Sequence, residues 1–389
     1  MHGQPEGEDA ANGITMEELQ LAARNHGMPL EALRYDVTPV GLHYLLIHFD
    51  IPEADERTWR LEVGGQVRAP RTLTMEELRR RPAVTVPVTM ECAGNGRARL
   101  DPRPVSQPWL EEAVGTAEWT GTPLRPLLEE AGIGPGAVEV LFAGADRGVQ
   151  GGLEQDYERS LPLDEAMRDE VLLAWEINGR PLPPQHGYPL RLVVPGWYGM
   201  TSVKWLRGIS VLGEPFTGYQ QTGSYLIHVS QDDPGVPVTR MVPRSLLLPP
   251  GIPEFESRER FLAPGRHQLR GRAWSGRAPI AAVEVSTDGG RELAAGPAGP
   301  APVAVVLGRV VVGLGGDPRV APAVLQGHRR GREHPAAAPT LERRRLRQQR
   351  RPTGRGHGAP MTSPTCPASR SRALGRPLRL APDDESRRG

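Results

Sequence analysis

Cys92 lies in Val88-Thr89-Met90-Glu91-Cys92-Ala93-Gly94-Asn95-Gly96-Arg97, among small residues and five positions before an arginine. A thiolate is a soft, strong metal ligand, and flanking glycines let a bulky cofactor come close to the backbone. Arg97 adds a fixed charge able to hold an oxyanion beside such a metal. Two other uses fit the same residue types. A lone cysteine is most often a buried residue in a tight turn. With His48 or His186 as base, a thiol would instead be a hydrolytic nucleophile. Lys204 is the chain's single lysine against 46 arginines, so a particular kind of cation is kept there.

Elements around these residues must position them. Val84 to Met90 is a β-branched run leading into Cys92, which puts the thiol at a strand end, where the backbone is rigid and the tip open. Thr15 with Glu18, and Thr74 with Glu77, are capping-box pairs that open two short helices. Thr122 as cap and Pro123 as first helical residue predict a third helix, ending near Gly132. Strands are expected over 44–52, over 59–67 with Gly64-Gly65 as turn, and over 190–194. Another, over 138–142, should deliver Asp146 in a glycine-rich turn. Short strands and helices without regular βα alternation point to an α+β domain. Alternating strands over 266–274 and 280–286, with Thr287-Asp288-Gly289-Gly290 as a hairpin turn, open a second domain. The expected boundaries are 1–35 for an N-terminal segment with a short helix, 36–235 for the catalytic domain, 236–290 for the start of the second domain, and 291–389 for a tail.

Four blocks in order resemble the sulfite oxidase family of molybdopterin-dependent oxidoreductases, in its bacterial, haem-free branch. They are YLLIHFDIP (44–52), CAGNGR (92–97), FAGAD (142–146), and HGYPLR (186–191) running through VPGWYGM (194–200) to VKWL (203–206). The resemblance implies a mixed molybdopterin-binding domain followed by an immunoglobulin-like sandwich used for homodimerisation. It also implies that Cys92 is the one protein ligand to molybdenum, and that Tyr44, His48, Asp146, His186, Arg191, Ser202 and Lys204 contact the pterin or its phosphate. Arg191 as a fork and Lys204 as a point charge suit a phosphate. Arg97 and Tyr225 match active-site positions. Leu46 stands where animal and plant sulfite oxidases carry a substrate arginine, which opens the choice between sulfite and a less charged sulfur compound such as a sulfoxide. The implied reaction is oxygen-atom transfer to a small sulfur oxyanion, with electrons passed to an external acceptor such as a cytochrome.

The 389 residues allow two domains, and no stretch approaches the roughly 20 apolar residues of a membrane span. No basic start followed by an apolar run marks a secretory leader. Two cysteines make a disulfide framework unexpected and a reducing, cytoplasmic setting the expectation. No C-x-x-C-H occurs, so no haem is expected, and neither a membrane nor a nucleic acid is an expected partner.

Net charge hides two unlike parts. Residues 291–389 hold 19 arginines against 7 acidic residues, and no Phe, Trp, Tyr, Ile, Asn or Lys. Such a segment cannot bury enough apolar area to fold, so a disordered basic tail is one expectation. A shifted reading frame beginning near Gly290 is the sharper one, and with it the alternative that the chain is an inactive product of a frameshifted gene. Back-translated Gln326–Ala359, read from the second base of each codon, can give a string with the RA-D, N-QP and WN features of the family's missing sandwich strands. Met361-Thr362 then forces a stop where such a domain should end.

Overall fold

The computed structural model describes residues 13–100, 104–227, 233–263 and 267–286, with the backbone alone of Ala294–Gly296, Gly308–Leu314 and Val324–Arg329. Both capping boxes form. Thr15 caps the helix Met16–Arg24 and Thr74 caps Met75–Arg79, each with its glutamate bonding back to the cap. The third helix, Leu124–Ala131, starts one residue later than expected. Pro123 is still paired with Leu172 in a strand ladder, so its backbone stays extended and Thr122 makes no cap. Gly132, at φ +70°, ends it.

Two five-stranded sheets build the first part of the chain. One runs Arg71–Thr74, Arg60–Gly65, Leu206–Leu212, Glu139–Gln150, Leu153–Pro162, with Arg60–Gly65 and Leu206–Leu212 parallel and the other pairs antiparallel. Helix Leu124–Ala131 buries Leu124, Leu127 and Leu128 in the same core as Leu61, Phe142, Ile209 and Val211. The other sheet runs Val84–Glu91, Val114–Pro123, Leu172–Ile177, Arg180–Pro181, and Arg191–Val193 also pairs with Leu172–Ile177. Its core gathers Val88, Met90, Cys92, Trp109, Trp119 and Leu172. The α+β expectation holds in a strand-rich form.

Two expected local structures come out differently. Residues 44–52 are not a strand, because their backbone partners lie elsewhere. Leu45 makes a single bridge with His26, the Ile47 N–H donates to Asn25 Oδ1 (2.7 Å), and the Leu46 carbonyl accepts from Lys204 Nζ (2.8 Å). Asp146 is not in a turn. It sits in an irregularity within the long strand Glu139–Gln150, between the paired residues Ala143 and Arg147. An unpaired bulge residue is aimed away from the regular alternation.

From Arg244 onward two three-stranded antiparallel sheets follow. Arg244–Leu248, His267–Trp274 and Gly308–Leu314 form one; Ala294–Gly296, Ile280–Ser286 and Val324–Arg329 form the other, and Ala273 and Val283 share a small core. The expected strands at 266–274 and 280–286 are present but lie in different sheets. The segment expected to lack structure from 291 contributes three of the strands, among them the valine run Val310–Val312, whose β-branched residues suit a ladder. The turn at 287–290, the rest of 291–389 and Cys366 lie outside the described residues. Among the described residues no helix is long and apolar enough to cross a membrane.

Candidate active site

The sequence CAGNGR makes a tight hairpin of backbone bonds. Cys92 N–H donates to the Ala113 carbonyl (2.9 Å), Asn95 N–H to Cys92 O (3.0 Å) and Arg97 N–H to Gly94 O (3.0 Å). Both glycines are needed for close approach. A Cβ at 94 would meet the Arg97 guanidinium, and one at 96, where φ is +91°, would come within 2.8 Å of Arg244 Nη2. Cys92 is a free thiol, 7% exposed. Burial pushes its pKa up, with the Arg97 charge opposing.

Cys92 opens into a pocket lined also by Tyr44, His48, Asp146, His186, Arg191, Ser202, Lys204 and Tyr225. Every residue expected at the site is there except Arg97. That guanidinium lies against Gly94 and donates to Ser106 Oγ (2.9 Å) and the Gln107 carbonyl (3.4 Å). Leu46 lines the pocket, so the position without its arginine is indeed a pocket position.

Arg191 is buried in the pocket and Lys204 part-buried, and among the described residues neither has a carboxylate in salt-bridge range. Arg191 donates to the carbonyls of His186 (2.9 Å) and Ser202 (3.1 Å) and lies 4.5 Å over the Trp119 ring. Lys204 donates to Leu46 O (2.8 Å) and Gln185 O (3.0 Å) and lies 4.3 Å over Trp205. Desolvation lowers Arg191 to about 10 and Lys204 to about 7, the latter also repelled by Arg191. Trp205, next to Lys204, has φ +48°, a strained conformation for so large a residue.

The polar groups between them are short of partners. Asp146 is 3% exposed, its Oδ1 has no hydrogen bond, and burial raises it to about 7 against the pull of Lys204. His186 is held near 2 by burial, then by His43 and Arg191. His48 Nε2 pairs with Gln150 Oε1 (2.7 Å). Tyr225 ends the turn Gln220–Ser224, and burial, followed by the charge of Cys92, pushes its hydroxyl to about 12.

Two lining residues were missed. His43, which the sequence does not set apart as a ligand, is T-shaped to His186 at 5.7 Å, and its Nε2 has no partner among the described residues. Tyr157 donates to the Met200 carbonyl (2.9 Å) and packs on His48 at 4.9 Å. His43 precedes Tyr44 in an already conspicuous block and could have been found there; nothing local marks Tyr157.

Uncompensated positive charge, a buried carboxylate oxygen and a histidine nitrogen without partners make a site complementary to an anion that also carries hydrogen-bonding heterocyclic edges. Among the described residues no group of three or more His, Cys, Asp and Glu could hold a metal unaided. A metal bound at Cys92 therefore needs ligands from an organic group, and the pocket's residues fit a pterin phosphate.

Comparison with known proteins agrees. The family model of the oxidoreductase molybdopterin-binding domain matches residues 48–220. NADH nitrate reductase 1 of Oryza sativa subsp. japonica is 33% identical over 275 residues, covering 65% of this chain and 30% of that protein. NAD(P)H nitrate reductase of Hordeum vulgare is 35% identical over 275 residues, covering 65% and 31%. The match thus spans less than a third of these plant proteins. The sulfane dehydrogenase SoxCD from Paracoccus pantotrophus superposes with a TM-score of 0.65 at 26% identity, covering 82% of each chain. Fold and pocket together define a molybdopterin-dependent oxidoreductase. Within that class, the domain match over residues 48–220 and the likeness to SoxCD support the sulfite oxidase family.

Proposed function

We propose that this enzyme transfers an oxygen atom to a small sulfur substrate, with oxidation of sulfite to sulfate as the leading reaction. The observation that carries the proposal is the Cys92 thiol opening into the same pocket as the cations Arg191 and Lys204. SoxCD, matched over most of both chains, favours sulfur over nitrate as the substrate class. Nitrate remains the rival, because the plant nitrate reductases share the domain.

When bound, the molybdenum–pterin group supplies two-electron redox chemistry and oxygen-atom transfer. Cys92 would ligate the metal. Arg191 and Lys204 would take the phosphate, and Tyr44, His48, Asp146, His186 and Ser202 the polar edges of the pterin. Tyr225, whose raised pKa keeps the phenol protonated, would donate a hydrogen bond to the substrate beside Cys92. Arg97 would act through its charge near Cys92. Sulfite gains one oxygen, water replaces it, and two electrons and two protons leave. An external acceptor such as a cytochrome takes the electrons. The paired sheets after residue 244 would serve homodimerisation, and a free Cys92 thiol suits a cytoplasmic, reducing setting.

Elemental mass spectrometry of purified protein tests the class: near-stoichiometric molybdenum per chain is expected, and none in Cys92→Ser. Sulfite-dependent ferricyanide reduction against nitrate reduction by a reduced viologen tests the substrate. Nitrate turnover without sulfite turnover would overturn the sulfur reading.

A further inference from the structure

Glu91, immediately before Cys92, is a carboxylate with no exposure at all, and its partners come from the far end of the chain. Arg244 Nη1 donates to Oε1 (2.6 Å) and Trp274 Nε1 to Oε2 (2.8 Å), across sequence separations of 153 and 183 residues. Asn95 Nδ2 donates to Oε1 as well (3.0 Å), and Asn95 Oδ1 accepts from Ala113 N–H (3.1 Å). Arg244 makes a second contact with the loop, donating to the Asn95 carbonyl (3.1 Å), and it packs over Gly96. Arg244 and Trp274 are themselves paired residues of one antiparallel ladder, so the donors are presented on a single rigid edge.

A buried carboxylate is tolerated only when paired and hydrogen-bonded. Here the pairing fixes the residue on one side of Cys92 and, through Asn95 and Gly96, the loop on its other side. We propose that Glu91, Arg244 and Trp274 are positioning residues that hold the Cys92 loop in its ligand-bearing shape, so that the segment beyond residue 236 is part of the cofactor site and not only a surface for dimerisation. The inference rests on Cys92 as the metal ligand. All three residues precede Gly290, so a frame change there leaves the brace whole.

The test is alkylation of Cys92 by iodoacetamide in cofactor-free protein, followed on the Cys92 peptide by mass spectrometry, with molybdenum per chain measured on cofactor-loaded protein. Arg244→Ala should speed alkylation at least tenfold and lower molybdenum content at least fivefold. Arg244→Lys should restore most of both. Trp274→Phe, which keeps the ring and deletes one donor, should fall between and covers the case in which Arg244→Ala does not fold. Leu269→Ala removes a buried side chain from the same sheet without touching the loop, and should leave alkylation within twofold of wild type. Equal acceleration in Leu269→Ala and Arg244→Ala would mean general loosening and would overturn the brace, as would unchanged alkylation in both Arg244→Ala and Trp274→Phe. Wild-type protein that never takes up molybdenum would refute the proposed function, while the alkylation arm would still decide the brace.

Discussion

The guanidinium of Arg159 lies 5.4 Å from the centroid of the Tyr225 ring and also donates to the Gln220 carbonyl, so one side chain grips both ends of the turn that carries Tyr225. Arg159 is fully buried, and its Nε and Nη2 have no partner among the described residues. An unpaired buried cation is a stability cost retained for another reason. Arg159→Met should therefore leave stability unchanged or raise it, by up to about 4 kcal/mol. Turnover should fall about 100-fold as Tyr225 drifts. Denaturant unfolding beside steady-state kinetics checks this; loss of both stability and activity would refute it.

Among the described residues Arg191 and Lys204 have no carboxylate in salt-bridge range, so their charge is open to an anionic ligand. Arg191→Met and Lys204→Met should each weaken cofactor retention by about 1.5–3 kcal/mol, tenfold or more, while the cofactor-free proteins melt no lower than wild type. Molybdenum content after gel filtration, set beside the melting temperature, reads both halves. Full molybdenum in either variant would remove that residue from the cofactor site.

What the sequence disclosed divides by distance along the chain. The Cys92 loop, both capping boxes and the strand leading to Cys92 are set by neighbours within a few residues, and they were legible. Residues 44–52 read as a strand because their apolar run satisfies that pattern. Their backbone partners, Asn25 and Lys204, are brought in by the fold. Tyr157 and Arg159 share one face of their strand by simple alternation, yet a buried arginine there goes against the composition rule for interiors. Nothing local in the sequence sets Glu91 apart, because its two distant donors are over 150 positions away.

Leu46 leaves the pocket without a cation where relatives in animals and plants were expected to carry one, and Arg97 is turned toward Ser106 and Gln107. An oxyanion substrate is thus held by fewer charges. Leu46→Arg should lower KM for sulfite about tenfold with kcat little changed, since a charge-assisted hydrogen bond contributes about 1.5–3 kcal/mol. Steady-state sulfite kinetics decide; an unchanged KM would mean that position 46 does not face the substrate.

His43 and His186 are buried as neutral rings, at about 4 and about 2. Each folded value lies below the unfolded one, near 6.5, so unfolding takes up protons and stability falls as pH drops below 6.5. Asp146, raised to about 7, works the other way between about 4 and 7, because unfolding releases its proton. Of these three groups two take up a proton and one releases it, a loss of about 1.4 kcal/mol per pH unit in cofactor-free protein between pH 6 and 4.5, to which His48, also lowered by burial, adds in the same direction. His43→Asn should flatten that slope by about the same amount, which cancels contributions shared by both proteins. Urea midpoints at three pH values supply the comparison, and parallel slopes would show that His43 is not buried neutral.

A final prediction concerns residues 291–389. Gly308–Leu314 and Val324–Arg329 pair as backbone with His267–Ala273 and with Ile280 to Ser286. The chain therefore supplies strands where a sandwich needs them, although the segment has no aromatic residue to fill its core. A segment so poor in large apolar residues has little area of its own to bury, and burial is the main driving force for such packing. A shifted frame would resolve the conflict, because the alternative reading of 326–359 can give tryptophan and asparagine at family positions and would meet a stop at Met361-Thr362. Sequencing genomic DNA across codons 285–365 should reveal one base gained or lost. The corrected protein should run as a dimer in analytical ultracentrifugation and the chain as written as a monomer. An uninterrupted frame, or a stable dimer from the chain as written, would make the arginine-rich segment genuine.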